Sequence, residues 1–149
     1  MKKLVGVVAL LAMGFVGGAY AAKAAATKEI TQQKAADMTW KAVAPNMPVE
    51  AADSWKGAGG AHCTFNKFPK GFVAPTHTHS NDAYTIVIAG KWGSNVDGQP
   101  AALQGPGGYQ VIPGGLKHET KCGPDADCVI YECGPKAFDL KGLPPPPKK

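Results

Sequence analysis

Arginine is absent from this chain: all 16 of its basic residues, in a length of 149, are lysine. The guanidinium fork is the usual reader of guanine edges and the usual bidentate phosphate clamp, so its absence argues against a sequence-specific nucleic-acid partner. The lysines are spread evenly and read as a solvated surface. No apolar run is long enough to span a bilayer either. The stretch Leu4 to Val16 falls short of the about 20 residues that a membrane helix needs. Internal repeats are missing, and no serine or cysteine has an identifiable base beside it. Ser80 follows His79 directly, but adjacency in sequence is not a catalytic pair.

What stands at the start is a leader pattern. Lys2 and Lys3 form a charged beginning, Leu4 to Val16 an apolar middle, and "AYAAKAAA" supplies small residues at the positions a signal peptidase reads. Residues 1–26 are therefore expected to be a cleavable signal peptide, cut after Ala21, Ala24 or Ala26, and the mature protein to be periplasmic or secreted with no membrane span. A cut after Ala21 takes Lys2 and Lys3 from the 16 lysines, so 14 face 11 acids and the net charge drops from +5 to +3. Four cysteines, Cys63, Cys122, Cys128 and Cys133, fit an oxidising compartment, and an even count favours disulfides. Cys122 and Cys128 flank a Gly-Pro-Asp turn that a bridge can close, which leaves Cys63 for Cys133. Free buried thiols, or a Cys122 thiolate bound to copper, are the competing readings.

The remainder divides by pattern. Residues 27–60 carry a poorly periodic segment, a short helix capped by Thr27 at most, then a proline- and glycine-broken stretch read as loop. This irregular N-terminal arm is expected to be packed onto the domain by Trp40 and Trp55. From Ala61 the runs "AHCTFNKF", "AYTIVIAGKW", "GYQVIPG" and "DCVIYEC" alternate between turn clusters, with no convincing helix between them. That pattern predicts an all-β sandwich or small barrel over residues 61–140. In "AYTIVIAG", Tyr84, Ile86 and Ile88 share one face while Thr85, Val87 and Ala89 share the other. "NVDG" reads as a hairpin turn, and residues 141–149 as a stiff Pro/Lys-rich tail.

Three of the four histidines form the chemical signal. His77 and His79 stand two apart on extended chain, which puts both imidazoles on one side. His118 follows about forty residues later, where a neighbouring strand can bring it opposite. His62 lies apart from these and reads as a surface or strand-face residue.

Here the chain resembles the cupin superfamily. The first cupin motif, G-x5-H-x-H-x3/4-E-x6-G, is met by Gly71, His77, His79 and Gly90. The second, G-x5-P-x-G-x2-H-x3-N, is met by Gly107, Pro113, Gly115 and His118. The wording around them is similar to small exported single-domain cupins and to the cupin of ChrR-type anti-sigma factors. The resemblance implies a small β-barrel of jelly-roll type with the histidines inside its mouth. It also implies a small-molecule ligand and pairing of two copies through outer strands.

Two positions depart from the motifs. The glutamate position is Ala83, and Cys122 replaces the final asparagine. Asp82, one residue away, is a doubtful fourth ligand, because one step along a strand turns a side chain to the opposite face. Three neutral imidazoles suit one divalent transition metal and leave a position open for water or substrate: copper, zinc, iron, manganese or nickel. Stability order favours copper or zinc in an exported protein, and Asp82 would harden the site toward iron, manganese or nickel. Metal-assisted chemistry of dioxygenase or hydrolytic type is one expectation, and a non-catalytic metal or ligand carrier is the other.

Overall fold

In the computed structural model, residue 30 and residues 32–44, 47–96 and 99–142 are described. The leader, the "NVDG" turn's Asp97 and Gly98, and the tail beyond Gly142 lie outside the described residues. Among the described residues nine strands run in order: β1 Lys41–Ala42, β2 Glu50–Lys56, β3 His62–Phe68, β4 Val73–His77, β5 Ala83–Ala89, β6 Trp92–Asn95, β7 Tyr109–Ile112, β8 His118–Cys122 and β9 Cys128–Gly134. No helix among the described residues is long and apolar enough to cross a membrane.

The strands form two antiparallel sheets, β1-β2-β3-β9-β5-β7 and β4-β8-β6. All-β architecture is what the alternating runs predict, and the jelly-roll type is what the cupin resemblance implies. The sheets are not hydrogen-bonded into one closed cylinder among the described residues, so the predicted barrel is an open two-sheet cup. At the closed end the sheets meet through Val87 and Ile130 on one side and Trp92 and Cys122 on the other, with Cys128, Phe68 and Phe72 packed among them. Both cysteine pairs lie at bonding distance, Cys63–Cys133 at 2.06 Å and Cys122–Cys128 at 2.04 Å. No cysteine is free among the described residues, which removes the thiolate reading of Cys122.

The N-terminal arm is the chief correction. Residues expected to be loop contain β2, which pairs with β3 from Glu50↔Lys67 to Lys56↔His62. "EAADSWK" has weak strand propensity, but β3 offers an open edge, and pairing there buries Val49 and Ala52. Tertiary pairing overrode local preference. A bulge at Ser54 absorbs the register shift, and its hydroxyl donates to the Cys63 carbonyl at 3.0 Å. The segment ahead holds one short 3-10 turn, Ala35–Asp37. Lys67 Nζ lies 3.8 Å from the Trp40 ring centre, so that tryptophan does contact the sheet.

Two motif glycines shape the turns that position the site. Gly90 has φ +75° between β5 and β6, and a Cβ there would stand 2.6 Å from the Asp127 carbonyl oxygen. Gly115 has φ +79°, which lets its N–H donate to the His79 carbonyl at 2.7 Å.

Candidate metal centre

His77 ends β4, His118 begins β8, and the two are direct cross-strand partners. His79 stands two residues beyond His77, in the connection to β5. The ring centres are 4.3 Å apart for His77–His118, 5.1 Å for His77–His79 and 5.3 Å for His79–His118. One nitrogen from each ring forms a set lying within 4.8 Å of one another. An ion about 2 Å from each nitrogen sits within such a set.

The tautomers follow from the partners. Nδ1 of His77 faces the Pro75 carbonyl at 2.7 Å, that of His118 the Leu116 carbonyl at 2.9 Å, and that of His79 the Asp139 carbonyl at 2.6 Å. A carbonyl only accepts, so each Nδ1 is the N–H, and all three Nε2 lone pairs are left for something else. His118 Nε2 is buried with no hydrogen-bond partner among the described residues. An orphaned acceptor at the centre of three imidazoles fits a metal better than it fits a packed core.

Burial favours the neutral form of His77 and His118. His77 is 5 % exposed and His118 2 %. Burial pushes the His77 pKa down to about 4, against the raising effect of the Pro75 carbonyl, and neighbouring imidazoles lower it further. Burial likewise lowers His118. A neutral imidazole is the form that binds metal, so the site is preset for a cation.

Asp82 does not join the group. Its Oδ1 accepts from the Gly114 N–H at 2.9 Å and its Oδ2 from the Tyr84 hydroxyl at 3.3 Å, outside the three-histidine set. The carboxylate pins the loop carrying His79 to the turn ahead of His118. Ala83, at the motif's glutamate position, faces inward and is 7 % exposed.

Sequence reasoning missed a carboxylate that does face the cavity. Glu132, on β9, lines the same cavity as the three histidines. Burial raises its carboxyl above the usual range, offset by His79 and by the Thr85 hydroxyl at 3.3 Å. Period-two alternation puts Cys128, Ile130 and Glu132 on one face of β9, but the sequence does not say that this face is inward. His62 opens β3, in keeping with the strand-face reading, and its face is the one turned to the cavity, with Nδ1 2.7 Å from the Lys136 carbonyl and its ring edge-on to Phe138.

Phe138, Asp139 and Leu140 form a strap over the mouth. Thr78 and Lys141 exchange both backbone hydrogen bonds, at 2.9 and 3.0 Å. The Asp139 carboxylate accepts from the Ser80 hydroxyl at 2.6 Å and its backbone N–H at 2.7 Å. Those two bonds, with Lys141 beside them, hold the Asp139 carboxyl down at about 2. Inside lies a cavity of about 550 Å³, a volume suited to a small organic ligand.

No protein-family model matches the chain, and no curated protein does. Solved structures do. The polyketide cyclase RemF from Streptomyces resistomycificus superposes with a TM-score of 0.65 at 19% identity, over 78% of this chain and 87% of that one. KdgF from Halomonas sp. gives 0.59 at 19% identity, over 72% and 96%. The anti-sigma ChrR, in complex with SigE of Rhodobacter sphaeroides, gives 0.55 at 22% identity, over 68% of this chain and 50% of that chain. Together with RmlC-like cupins and a cupin-2 domain among the similar structures, they show that the chain has the cupin fold. The fold and the three-histidine cluster are compatible with metal binding.

Proposed function

We propose that this is an exported cupin that binds one divalent transition metal through Nε2 of His77, His79 and His118. One observation carries the reading: three Nδ1 atoms each face a carbonyl, which leaves three Nε2 atoms to converge at the mouth of the cup. Copper or zinc suits three imidazoles, and the bound ion would supply Lewis acidity toward a small molecule entering from the cavity. The chain's own residues hold the ion, keep it from bulk water and orient what reaches it. Export is supported by the leader pattern and by two bonded cysteine pairs. A cyclase activity, as named for RemF, and a purely binding role both remain within this reading.

The test starts from protein expressed with its leader and recovered from the periplasm. Metal content by plasma mass spectrometry should give one ion per chain, and none in His77→Ala. A wild-type protein that stays metal-free after incubation with zinc and copper would end the proposal. Oxygen uptake with phenols, thiols and amino acids then separates an oxygenase from a carrier.

We also infer a homodimer. Tyr84, Ile86, Ile88 and Val111, each between 46% and 50% exposed, and Tyr109 at 70% make an apolar outer face on β5 and the edge strand β7. Light scattering at micromolar concentration should give twice the chain mass. A monomer there sinks the inference.

A further inference from the structure

The cavity is layered, and the strand register shows how. Thr85 lies opposite Gln110 on β7 and Glu132 on β9, Glu132 opposite Thr64 on β3, and Thr64 opposite Asp53 on β2. Five polar side chains therefore form one row across the inner face of the large sheet. Toward the closed end the next row holds Val87, Ile130 and Asn66, and beyond it Phe68, Phe72 and Trp92 wall the cavity. Their rings are mutually packed, Phe68 at 4.2 Å from Trp92 and 5.5 Å from Phe72. Aromatic walls are thus deep, the polar row is at the waist, and the histidines are at the mouth.

Most of the waist is already satisfied by protein. Gln110 Nε2 donates to Ser94 Oγ at 3.0 Å, Ser94 meets Thr120 at 3.2 Å, and Asn66 Nδ2 donates to Thr64 Oγ1 at 3.2 Å. Glu132 is different. Thr85 reaches its Oε2, while Oε1 has no protein partner among the described residues. A carboxyl oxygen that opens onto a cavity and has no protein partner is free to take a polar group from the ligand. A hydroxyl meets that demand in either protonation state, because it both donates and accepts.

We propose that the cavity takes a hydroxylated aromatic molecule of about ten to twenty non-hydrogen atoms, with its ring in the deep half and a hydroxyl bonded to Glu132 Oε1. A sugar would strand its hydroxyls against the aromatic walls, and a plain hydrocarbon would leave Glu132 unpaired; both are disfavoured. The assignment deepens the metal reading by naming the ligand that would lie under the ion. It does not need the ion to be tested.

Metal-stripped full-length mature protein is titrated with 4-nitrocatechol, its dimethyl ether and cyclohexane-1,2-diol, following tryptophan fluorescence and heat. The catechol should bind at least about tenfold more tightly than either comparator, a factor on the scale of one hydrogen bond. In Glu132→Leu the catechol's advantage over the ether should vanish, whereas Glu132→Gln, which keeps a hydrogen bond, should retain it within about threefold. Should Glu132→Leu fail to fold, the Gln variant and the ether series in the wild type still decide. Equal binding of catechol and ether, tighter binding of the diol, or an ether penalty unchanged in Glu132→Leu overturns the assignment. Each of those results leaves the metal stoichiometry of His77→Ala untouched, so the two readings fail separately.

Discussion

The two ends of the cup are built to opposite rules. At the closed end Cys128 is 0% exposed, Ile130 1%, Val87 3% and Trp92 4%, with a disulfide linking β8 to β9 across the layer. Nearly everything there is apolar and close-packed, the indole N–H of Trp92, unpaired among the described residues, being an exception. At the mouth three imidazoles are crowded together and one Nε2 is orphaned, and at the waist below them a carboxyl faces the cavity. Groups of that kind lower stability and persist where something binds. The closed end holds the fold, and the mouth holds chemistry at the fold's expense.

The sharpest way to break this contrast is to damage the closed end alone. Trp92→Ala should lower unfolding free energy by about 3–5 kcal/mol, the usual range for a buried aromatic, read as a lower urea midpoint. Metal stoichiometry of the fraction that stays folded should not change. Loss of the metal from folded Trp92→Ala would mean that the two ends are coupled. The converse variant, His118→Ala, should weaken zinc at least about a hundredfold, beyond what loss of an outer-sphere partner does. Its metal-free stability should stay level or rise, because the orphaned Nε2 goes with the ring. A large destabilisation of the metal-free form would make His118 an ordinary core residue.

Acidity separates the ends next. His77 titrates at about 4 when folded and 6.5 when unfolded, so between those values the unfolded chain holds a proton that the folded one lacks. Metal-free stability should therefore fall as pH drops from 6.5 to about 4, and level off below. His118, also lowered, adds to this trend. Glu132 acts in the other direction. Its raised pKa gives stability that is complete below the unfolded value of 4.5 and lost as pH rises through the folded one. The Glu132→Gln variant removes the opposing contribution, and its melting temperature should then fall more steeply with acid than the wild type's. Identical slopes would show that Glu132 is not the buried acid described above.

How much of this could be read in the sequence differs between the same two regions. His77, His79 and His118 were legible because a motif fixes their spacing, and a two-residue spacing on extended chain has one geometric outcome. The Cys122–Cys128 bridge was legible because its turn is local. Glu132 was not, since its meaning depends on which face of β9 is inward and on what β5 places opposite it. Strand β2 was missed for a related reason: Glu, Ala and Asp carry no strand signal, and only the open edge of β3 makes them one. Even the alternation of β5 was read correctly as two faces without saying which was inside. Thr85 and Val87 are in, while the more apolar Tyr84, Ile86 and Ile88 are out. A binding cavity inverts the usual rule that the apolar side faces the core.

The smallest expected effect concerns Asp82, where position in sequence and position in space disagree. Its carboxylate holds the Gly114 N–H and the Tyr84 hydroxyl, one step off the motif and turned away from the imidazoles. Asp82→Ala should therefore leave zinc affinity unchanged within about twofold, while stability drops by about 1 kcal/mol for the lost hydrogen bond. Any looser hold on the ion would come indirectly, since the Gly114–Gly115 turn is also held by the His79 carbonyl. That second tie survives the substitution and should keep His79 in place. A tenfold or larger fall in metal affinity, with unchanged melting, would return Asp82 to the coordination shell and transfer the mouth's carboxylate from Glu132 to the loop.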